Sequence, residues 1–220
     1  MRRIVSRWTE KAGVIRFREP LVSPGWSGKR WLLWLRANRY QLGDFAQAAL
    51  LSPAFQPIAG FEYRPVILKW PLWNDCDRVI ENVLRAASEL SALPTTLEAA
   101  CLMRRAVSDD EFEAMGVSWL NVVHPSVETP FGRGELDIIA RREGGRWLSG
   151  HVRPYDYRHK RDESFLVDDA RAAVREARGV QRIVRRPRPP SSLPPEPEDF
   201  RDEAQIGEYL AGLRKFFHNG

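Results

Sequence analysis

Cysteine is scarce in this sequence, and its scarcity narrows the chemistry that the chain can use. Only two cysteines occur, Cys76 and Cys101, and neither belongs to a CxxC pair or lies at a metal-binding spacing from a histidine. A cysteine-based zinc site and a disulfide framework are therefore excluded. We expect both thiols to be free core residues in a reducing compartment, which predicts a cytoplasmic protein.

Long apolar segments and several catalytic motifs are missing as well. The basic N-terminal residues are followed by no apolar stretch of the kind that a secretory signal contains, and the run Trp31–Leu35 is far too short to span a bilayer. Gly132 and Gly134 lack the further glycine of a dinucleotide-binding loop, and no Gly-x-Ser-x-Gly nucleophile elbow occurs. We therefore expect a soluble protein with no membrane partner.

Positive charge is what the composition has in excess. The formal net charge is +5, the sequence pI is about 9.5, and arginine outnumbers lysine. Such a balance favours an acidic partner such as DNA, RNA or an acidic protein face, and the planar guanidinium group suits phosphate. GC-rich coding would produce the same arginine bias. The length and the 43% hydrophobic content indicate one α+β domain, or one domain with an appendage.

The N-terminal region reads as short strands and one short helix. Apolar runs at Val14–Phe17 and Trp31–Leu35, bounded by prolines and glycines, predict strands. We expect a helix over 45–51 with Asp44 as its cap, and a further strand over 64–70. The many tryptophans of this region would ordinarily be core residues, although their density also suits a protein-binding surface.

The middle of the chain has helical periodicity. A helix is expected from Asn74 or Asp75 until Pro94 stops it, and the pairs Thr95/Glu98 and Ser108/Glu111 have the spacing of capping boxes. Two shorter helices should therefore begin there, and Gly116 should close the second. Apolar residues at i, i+3, i+4 spacing give the first helix its buried face: Val79, Ile80, Val83, Leu84, Ala87 and Leu90.

From Val117 the apolar period changes to that of strands. Strands are predicted over 117–123, 135–141 and 146–152, and glycines between the last two permit a hairpin turn. A helix over 167–178 and a strand over 180–184 are expected to follow.

The C-terminal residues predict an extended spacer and a docking helix. Prolines crowd residues 185–198, which favours a polyproline spacer. Beyond it, an amphipathic helix over 199–217 is expected to bind a protein partner or a second copy of the chain. Its contact residues would be Ile206, Tyr209, Leu210, Leu213 and Phe216. The predicted organisation is a tryptophan-rich region, a second module, a linker and a helix, over 1–107, 108–186, 187–198 and 199–220.

The segment Phe131–Arg153 carries the pattern closest to a chemical site. An aspartate on one strand of a hairpin, with polar and basic positions on the next strand, can hold a divalent metal beside a phosphodiester. The sequence Gly-Glu-Leu-Asp-Ile-Ile-Ala-Arg over 134–141, followed by His-Val-Arg over 151–153, resembles the core of PD-(D/E)XK nuclease-like proteins. The resemblance is to a bacterial group related to archaeal Holliday-junction resolvases, and it covers residues 110–184.

This resemblance implies a helix, a three-stranded meander, a helix and a strand. It also implies Asp137, Glu135 and Arg153 as catalytic residues, and Asp137 with His151 as ligands of Mg or Mn. The chain departs from the family pattern because His151 stands where the family has an acidic ligand and Arg153 where it usually has lysine. Magnesium prefers oxygen ligands, so the resemblance supports the fold more strongly than cleavage.

The same segment also suits an ordinary half-exposed hairpin. In that case Leu136, Ile138 and Ala140 would face the core, and the carboxylates would face solvent. Three interpretations therefore stay open at this stage: a plain hairpin, a nuclease-like fold without activity, and a working metal-dependent nuclease.

A second candidate site is the segment Tyr155–Arg161, YDYRHKR, which interleaves aromatic and basic residues. Such a segment can stack on single-stranded bases while neutralising the backbone, and it can equally be a solvated loop. None of the four histidines has a metal-binding spacing. The expected nucleic-acid contacts are Tyr155, Tyr157, Arg158, Lys160 and Arg161.

These patterns favour a nucleic-acid-associated protein with a nuclease-like module, binding DNA or RNA with little sequence preference. The competing hypothesis is a non-enzymatic adaptor or structural subunit of a multiprotein assembly, which would dock its partners through the C-terminal helix.

Overall fold

The computed structural model describes residues 7–69, 72, 78–142, 145–152 and 157–170. The chain divides into two units, Met1–Arg178 and Gly179–Gly220, and all described residues belong to the first. The predicted strand over 180–184, the proline spacer and the terminal helix with its contact residues lie outside the described residues.

Twelve strands and five helices occur in the described part of the chain. The strands are β1 (Trp8–Lys11), β2 (Val14–Phe17), β3 (Leu21–Val22), β4 (Gln41–Leu42), β5 (Glu62–Tyr63), β6 (Pro65–Leu68), β7 (Ala92–Leu93), β8 (Trp119–Val122), β9 (Val127–Thr129), β10 (Gly132–Arg142), β11 (Gly145–His151) and β12 (Glu163–Asp169). The helices are α1 (Gly28–Ala37), α2 (Asp44–Leu51), α3 (Ile80–Glu89), α4 (Leu97–Ala106) and α5 (Asp109–Ala114).

Ten of these strands form one mixed sheet, so the α+β class is confirmed. The strand order is β1-β2-β6-β12-β8-β10-β11-β4, with β7 paired to β12 and β9 paired to β10. The pairs β12–β8 and β11–β4 are parallel, and the other pairs are antiparallel. The sheet therefore takes strands from both sides of residue 107, and β10 pairs antiparallel with β8 on one side and with β11 on the other.

Helices cover both faces of the sheet. Alternate residues of a strand point to opposite faces, and one set, which includes Leu120 and Ile138, packs in a core cluster with residues of α1, α2 and α4. A second cluster brings Phe165 of β12 against Val83 of α3. The strand β10 is consequently buried on both faces over 136–140.

Burial of both faces corrects one expectation of the half-exposed hairpin. Leu136, Ile138 and Ala140 do face the core, as predicted, but Asp137 is only 2% exposed and does not face solvent. Glu135 is half-buried. Asp137 is therefore an internal carboxylate, whose stability depends on the polar groups around it.

The run Trp31–Leu35 is helical, which contradicts the strand predicted there. Ser27 caps α1 by accepting a hydrogen bond from the Arg30 backbone N–H at 3.4 Å. The buried positions of the helix are Gly28, Trp31, Leu32 and Leu35, at the i, i+3, i+4, i+7 spacing of one helical face. A short continuous apolar run is ambiguous, and the flanking cap residue decides it here.

Gly28 sets the spacing between α1 and α2. A Cβ atom at this position would lie 1.7 Å from the Leu50 carbonyl oxygen. The two helices approach so closely that only glycine fits at the contact.

Two further boundaries differ from the sequence prediction. Residues 167–169 belong to β12, so no helix begins at Val167. Val167 and Asp168 pair with β6, and Asp168 and Asp169 pair with β7. The helix α3 begins at Ile80, after an extended Val79, instead of at Asn74 or Asp75. Its buried face centres on Val83 and Ala87, while Leu84 is exposed.

Candidate functional site

The hairpin of β10 and β11 brings Asp137 and His151 together. The backbone register pairs Glu135 with His151 and Asp137 with Ser149, so these four side chains share one face. The His151 Nδ1 atom lies 2.5 Å from the Asp137 Oδ2 atom. The aspartate side chain is 2% exposed and the histidine side chain 33% exposed, so a buried carboxylate orients a ring that reaches solvent.

The neighbouring strand β8 places a buried amide beside this pair. Asn121 is directly opposite Asp137 in the register of β8 and β10, and its side chain is 1% exposed. The Asn121 Nδ2 atom donates to the Glu163 Oε2 atom at 3.1 Å and to the Ser164 carbonyl at 3.3 Å. Asn121 therefore connects the Asp137 side of the sheet to β12.

Glu163 is the second buried carboxylate on this face. It is 2% exposed, begins β12, and accepts from Asn121 on one side. On the other side, the His159 Nδ1 atom lies 2.7 Å from the Glu163 Oε2 atom, and the Tyr157 hydroxyl donates to the Glu163 Oε1 atom at 3.3 Å. We call His151, Asp137, Asn121, Glu163 and His159 the polar row. The first four follow one another across β11, β10, β8 and β12, and His159 lies in the loop that precedes β12.

His159 anchors the loop that precedes β12. Its ring is 3% exposed and packs edge-on against Phe165 at 4.7 Å and against Tyr157 at 5.2 Å between ring centroids. Its backbone N–H donates to the Arg78 carbonyl at 2.8 Å. The histidine thus holds the middle of this loop inside the protein.

The residues on either side of His159 point outward. Arg158, Lys160 and Arg161 are all exposed. We call residues 157–161 the basic loop. Its anchor, His159, belongs to the polar row, so the structure brings two separately predicted sites next to each other.

The ring of His151 has a second neighbour on the same face. Trp119 of β8 meets it edge-on, with ring centroids 5.9 Å apart. The imidazole is therefore oriented by a carboxylate and an indole, which restricts the directions in which it can present a nitrogen to solvent.

His124 has a structural role next to the hairpin. Its Nε2 atom accepts from the Leu136 backbone N–H at 3.0 Å, and its Nδ1 atom lies 2.8 Å from the Pro125 carbonyl. Burial lowers the pKa of this histidine. A neutral ring that donates from Nδ1 and accepts at Nε2 satisfies both contacts.

The described residues do not fit the magnesium or manganese ion that the family resemblance implies. Among them, no three histidine, cysteine, aspartate or glutamate side chains converge closely enough to hold a metal. The Asp137 Oδ2 atom faces an imidazole nitrogen, whereas magnesium requires near-octahedral oxygen ligands. No metal-dependent step follows from Asp137 and His151.

The other predicted site residues are distributed as follows. Glu135 lies opposite His151 in the register, on the same face as Asp137. Tyr157, Arg158, Lys160 and Arg161 lie in the basic loop. Arg153 and Tyr155 lie outside the described residues.

Sequence reasoning missed Asn121 and Glu163. Asn121 lies in an otherwise apolar strand, and a polar residue in such a strand signals a buried, partnered group. Glu163 gives no such signal, because Asp162 and Ser164 flank it. The helix predicted over 167–178 overlaps β12 and concealed this strand. The partner of each residue is set by sheet pairing across more than forty positions of sequence.

The tryptophans in and beside α1 pack around one core residue, Trp31. Trp31 is fully buried, and Trp26 and Trp34 pack against its ring with centroids 4.8 Å and 6.0 Å away. Arg30 and Arg105 lie over the Trp26 ring, at 4.7 Å and 4.9 Å from its centroid. These contacts favour the core interpretation over a protein-binding surface.

Comparison with known proteins gives no relative for this chain. No family model matches it, and neither the curated proteins nor the solved structures contain a significant match. The PD-(D/E)XK resemblance therefore stays a prediction. In the described part of the chain, no helix has the length and apolar character needed to cross a bilayer.

Proposed function

We propose that this protein binds DNA or RNA through the basic loop and the adjoining polar row of a nuclease-like module, and that it binds without cleaving. The observation that carries the proposal is the link from the basic loop to Asp137. Glu163 contacts both His159 in the loop and Asn121, which is paired with Asp137. Glu163 and Asn121 thus connect the basic loop to the strand that carries Asp137.

The charges of the basic loop suit a phosphate backbone. Three cationic side chains within four residues can each neutralise a phosphate, and Tyr157 adds a half-buried aromatic ring beside them. No base-reading helix is apparent in the sequence. We therefore expect binding through charge and stacking, with little sequence preference.

The absence of a suitable metal site among the described residues favours binding over cleavage. A nuclease of this type needs hard oxygen ligands around its metal, and Asp137 meets a histidine instead. The module would then have a nuclease-like fold without nuclease activity.

The test is binding of short labelled single-stranded DNA, single-stranded RNA and duplex DNA, followed by fluorescence anisotropy at several salt concentrations. Replacing the three cations together, as Arg158→Gln, Lys160→Gln and Arg161→Gln, should weaken single-strand binding by about 10-fold or more at low salt. It should also reduce the slope of log K against log salt by about 2, because three phosphate contacts are lost.

A matched control removes the same charge elsewhere. Lys11, Arg18 and Lys29 are exposed and lie outside the basic loop, so their triple glutamine variant should keep most of the affinity. Equal losses in both variants, or no binding by the wild type at low salt, would remove the proposal. Cleavage by the wild type with Mg or Mn that disappears in Asp137→Ala would overturn the binding-only assignment.

A further inference from the structure

We propose that Glu163 is the positioning residue of the basic loop, and that its buried contacts fix the loop before nucleic acid arrives. This inference rests on the proposed function for its consequence, because a fixed loop matters only if the loop binds something. Its structural part can be tested separately. Glu163 itself is 2% exposed and would contact no ligand.

Three polar side chains converge on the Glu163 carboxylate. The Glu163 Oε2 atom receives Asn121 at 3.1 Å and faces the His159 ring nitrogen at 2.7 Å, and the Oε1 atom receives the Tyr157 hydroxyl at 3.3 Å. An ionised carboxylate can accept all of these contacts, whereas an amide has only one acceptor oxygen. The site is therefore built for glutamate.

A second feature is the placement of these contacts along the loop. Tyr157 and His159 occupy alternate positions, and the cations Arg158 and Lys160 occupy the positions between and after them. Pulling the first pair inward leaves the second pair outward. One buried carboxylate thus determines which side chains of the loop reach solvent.

A fixed loop also has an energetic consequence. Ordering a flexible loop on binding costs conformational entropy, and a loop that is already fixed does not incur that cost. Loss of the Glu163 contacts should therefore weaken nucleic-acid binding although the three cations remain. The number of phosphates neutralised in the complex stays the same, so the salt slope should not change.

Electrostatics alone predicts the opposite result, which makes the experiment decisive. Glu163→Gln removes a negative charge next to the basic loop, and simple charge addition would tighten binding to a polyanion. The positioning role predicts weaker binding instead. Asp162→Asn is the matched control. Asp162 is the residue next to Glu163 and its side chain is exposed, so the variant removes the same charge without removing a buried contact.

The experiment uses the full chain, with amide hydrogen exchange of residues 157–162 and anisotropy binding to single-stranded DNA. In Glu163→Gln we expect exchange of the loop to rise at least 10-fold, and affinity to fall on the order of 10-fold with an unchanged salt slope. Asp162→Asn should leave loop exchange unchanged and affinity unchanged or slightly higher. Tyr157→Phe removes only the hydroxyl contact and should give a smaller rise in exchange.

Each outcome separates this inference from the proposed function. Unchanged loop exchange in Glu163→Gln overturns the positioning role. Faster exchange with affinity equal to that of the wild type also overturns it, provided that the triple cation variant binds weakly. If the triple cation variant binds as well as the wild type, the proposed function fails, and the exchange data alone decide whether Glu163 fixes the loop. Should Glu163→Gln not fold, Tyr157→Phe must still raise loop exchange, and no rise rejects the role.

Discussion

Two sets of buried charged side chains lie on opposite faces of the large sheet and are held in different ways. On one face, α4 carries Glu98 and Arg104, each 1% exposed. On the other face lies the polar row. Glu98 accepts hydrogen bonds from neutral groups, and Arg104 pairs with Asp109 of the adjacent α5. In the polar row, by contrast, each of two carboxylates contacts a histidine.

Arg104 shows what the α4 charges contribute. Its guanidinium donates to the carbonyls of Ile139 and Trp147, and it forms an ion pair with Asp109 at 2.8 Å. The register of β10 and β11 shifts between Ile139 and Arg142. Arg104 therefore satisfies backbone carbonyls where the regular ladder is interrupted, and it ties the hairpin to α4 and α5.

Among the residues that the structure describes, no cation pairs with Glu98. Its Oε1 atom accepts from the Ser23 hydroxyl at 2.9 Å and from the Trp31 indole at 3.2 Å, and its Oε2 atom accepts from Tyr63 at 3.3 Å. Burial raises the pKa of Glu98 and raises the pKa of Tyr63 to about 12. Glu98 and Arg104 therefore lie wholly inside the fold, whereas the polar row reaches solvent at His151.

The largest expected effect on the free energy of unfolding comes from removing the Arg104 guanidinium. Arg104→Met should lower the free energy of unfolding by about 3–5 kcal/mol, because Asp109 and two buried carbonyls lose their donor. Urea unfolding measures this change. Arg105→Met, on the exposed side of the same helix, should cost about 1 kcal/mol, since it loses only the stacking on Trp26. Equal losses in the two variants would contradict the role of Arg104.

A smaller, pH-dependent effect is expected at Glu98. Because its pKa in the folded state is raised above the unfolded value, its contribution to stability is fully present below the unfolded pKa and is lost as pH rises through the folded pKa. Glu98→Gln, which stays neutral, should therefore gain stability relative to wild type between acidic and neutral pH. Thermal unfolding of both proteins over that range measures the difference.

The control is the same pair of proteins at acidic pH, where the protonated carboxyl of Glu98 and the amide of Glu98→Gln are both neutral. A pH-independent difference for Glu98→Gln would show that the buried carboxylate is not destabilised by its neutral surroundings.

The sequence predicted local elements better than partnerships. The strand at Val14–Phe17, the helix α2 and the β10–β11 hairpin are confirmed, because their periodicity and turn residues lie within a few positions of one another. Asp137 was identified by its motif. Its contact with Asn121, by contrast, depends on the pairing of β8 with β10, and nothing local to either residue encodes that register.

The two capping-box patterns also show that a local sequence motif does not determine the partners of its side chains. Thr95/Glu98 and Ser108/Glu111 have the same spacing, yet only the second forms a capping box. Glu98 instead turns into the core, where Ser23, Trp31 and Tyr63 supply donors from distant parts of the chain. A local motif thus yields to tertiary contacts when the core offers more hydrogen bonds.

The smallest expected effect on stability comes from removing the capping box of α5. Ser108 accepts from the Glu111 backbone N–H at 3.2 Å, and the Glu111 side chain accepts from the Ser108 backbone N–H at 2.9 Å. Ser108→Ala should therefore lower the free energy of unfolding by about 1 kcal/mol, the usual contribution of an N-cap. Chemical denaturation checks this value.

Thr96, the N-cap of α4, is the comparison residue, because its side chain makes no cap hydrogen bond and instead contacts the Tyr63 hydroxyl at 2.8 Å. Thr96→Ser keeps that hydroxyl and should leave stability nearly unchanged. Thr96→Val removes the hydroxyl and should raise the pKa of Tyr63 further, because the hydrogen bond from Thr96 lowers this pKa. Ultraviolet titration of the tyrosines follows this pKa. If Ser108→Ala costs nothing while Thr96→Ser is destabilising, α4 rather than α5 depends on its cap, and the assignment of Glu98 to the core alone is wrong.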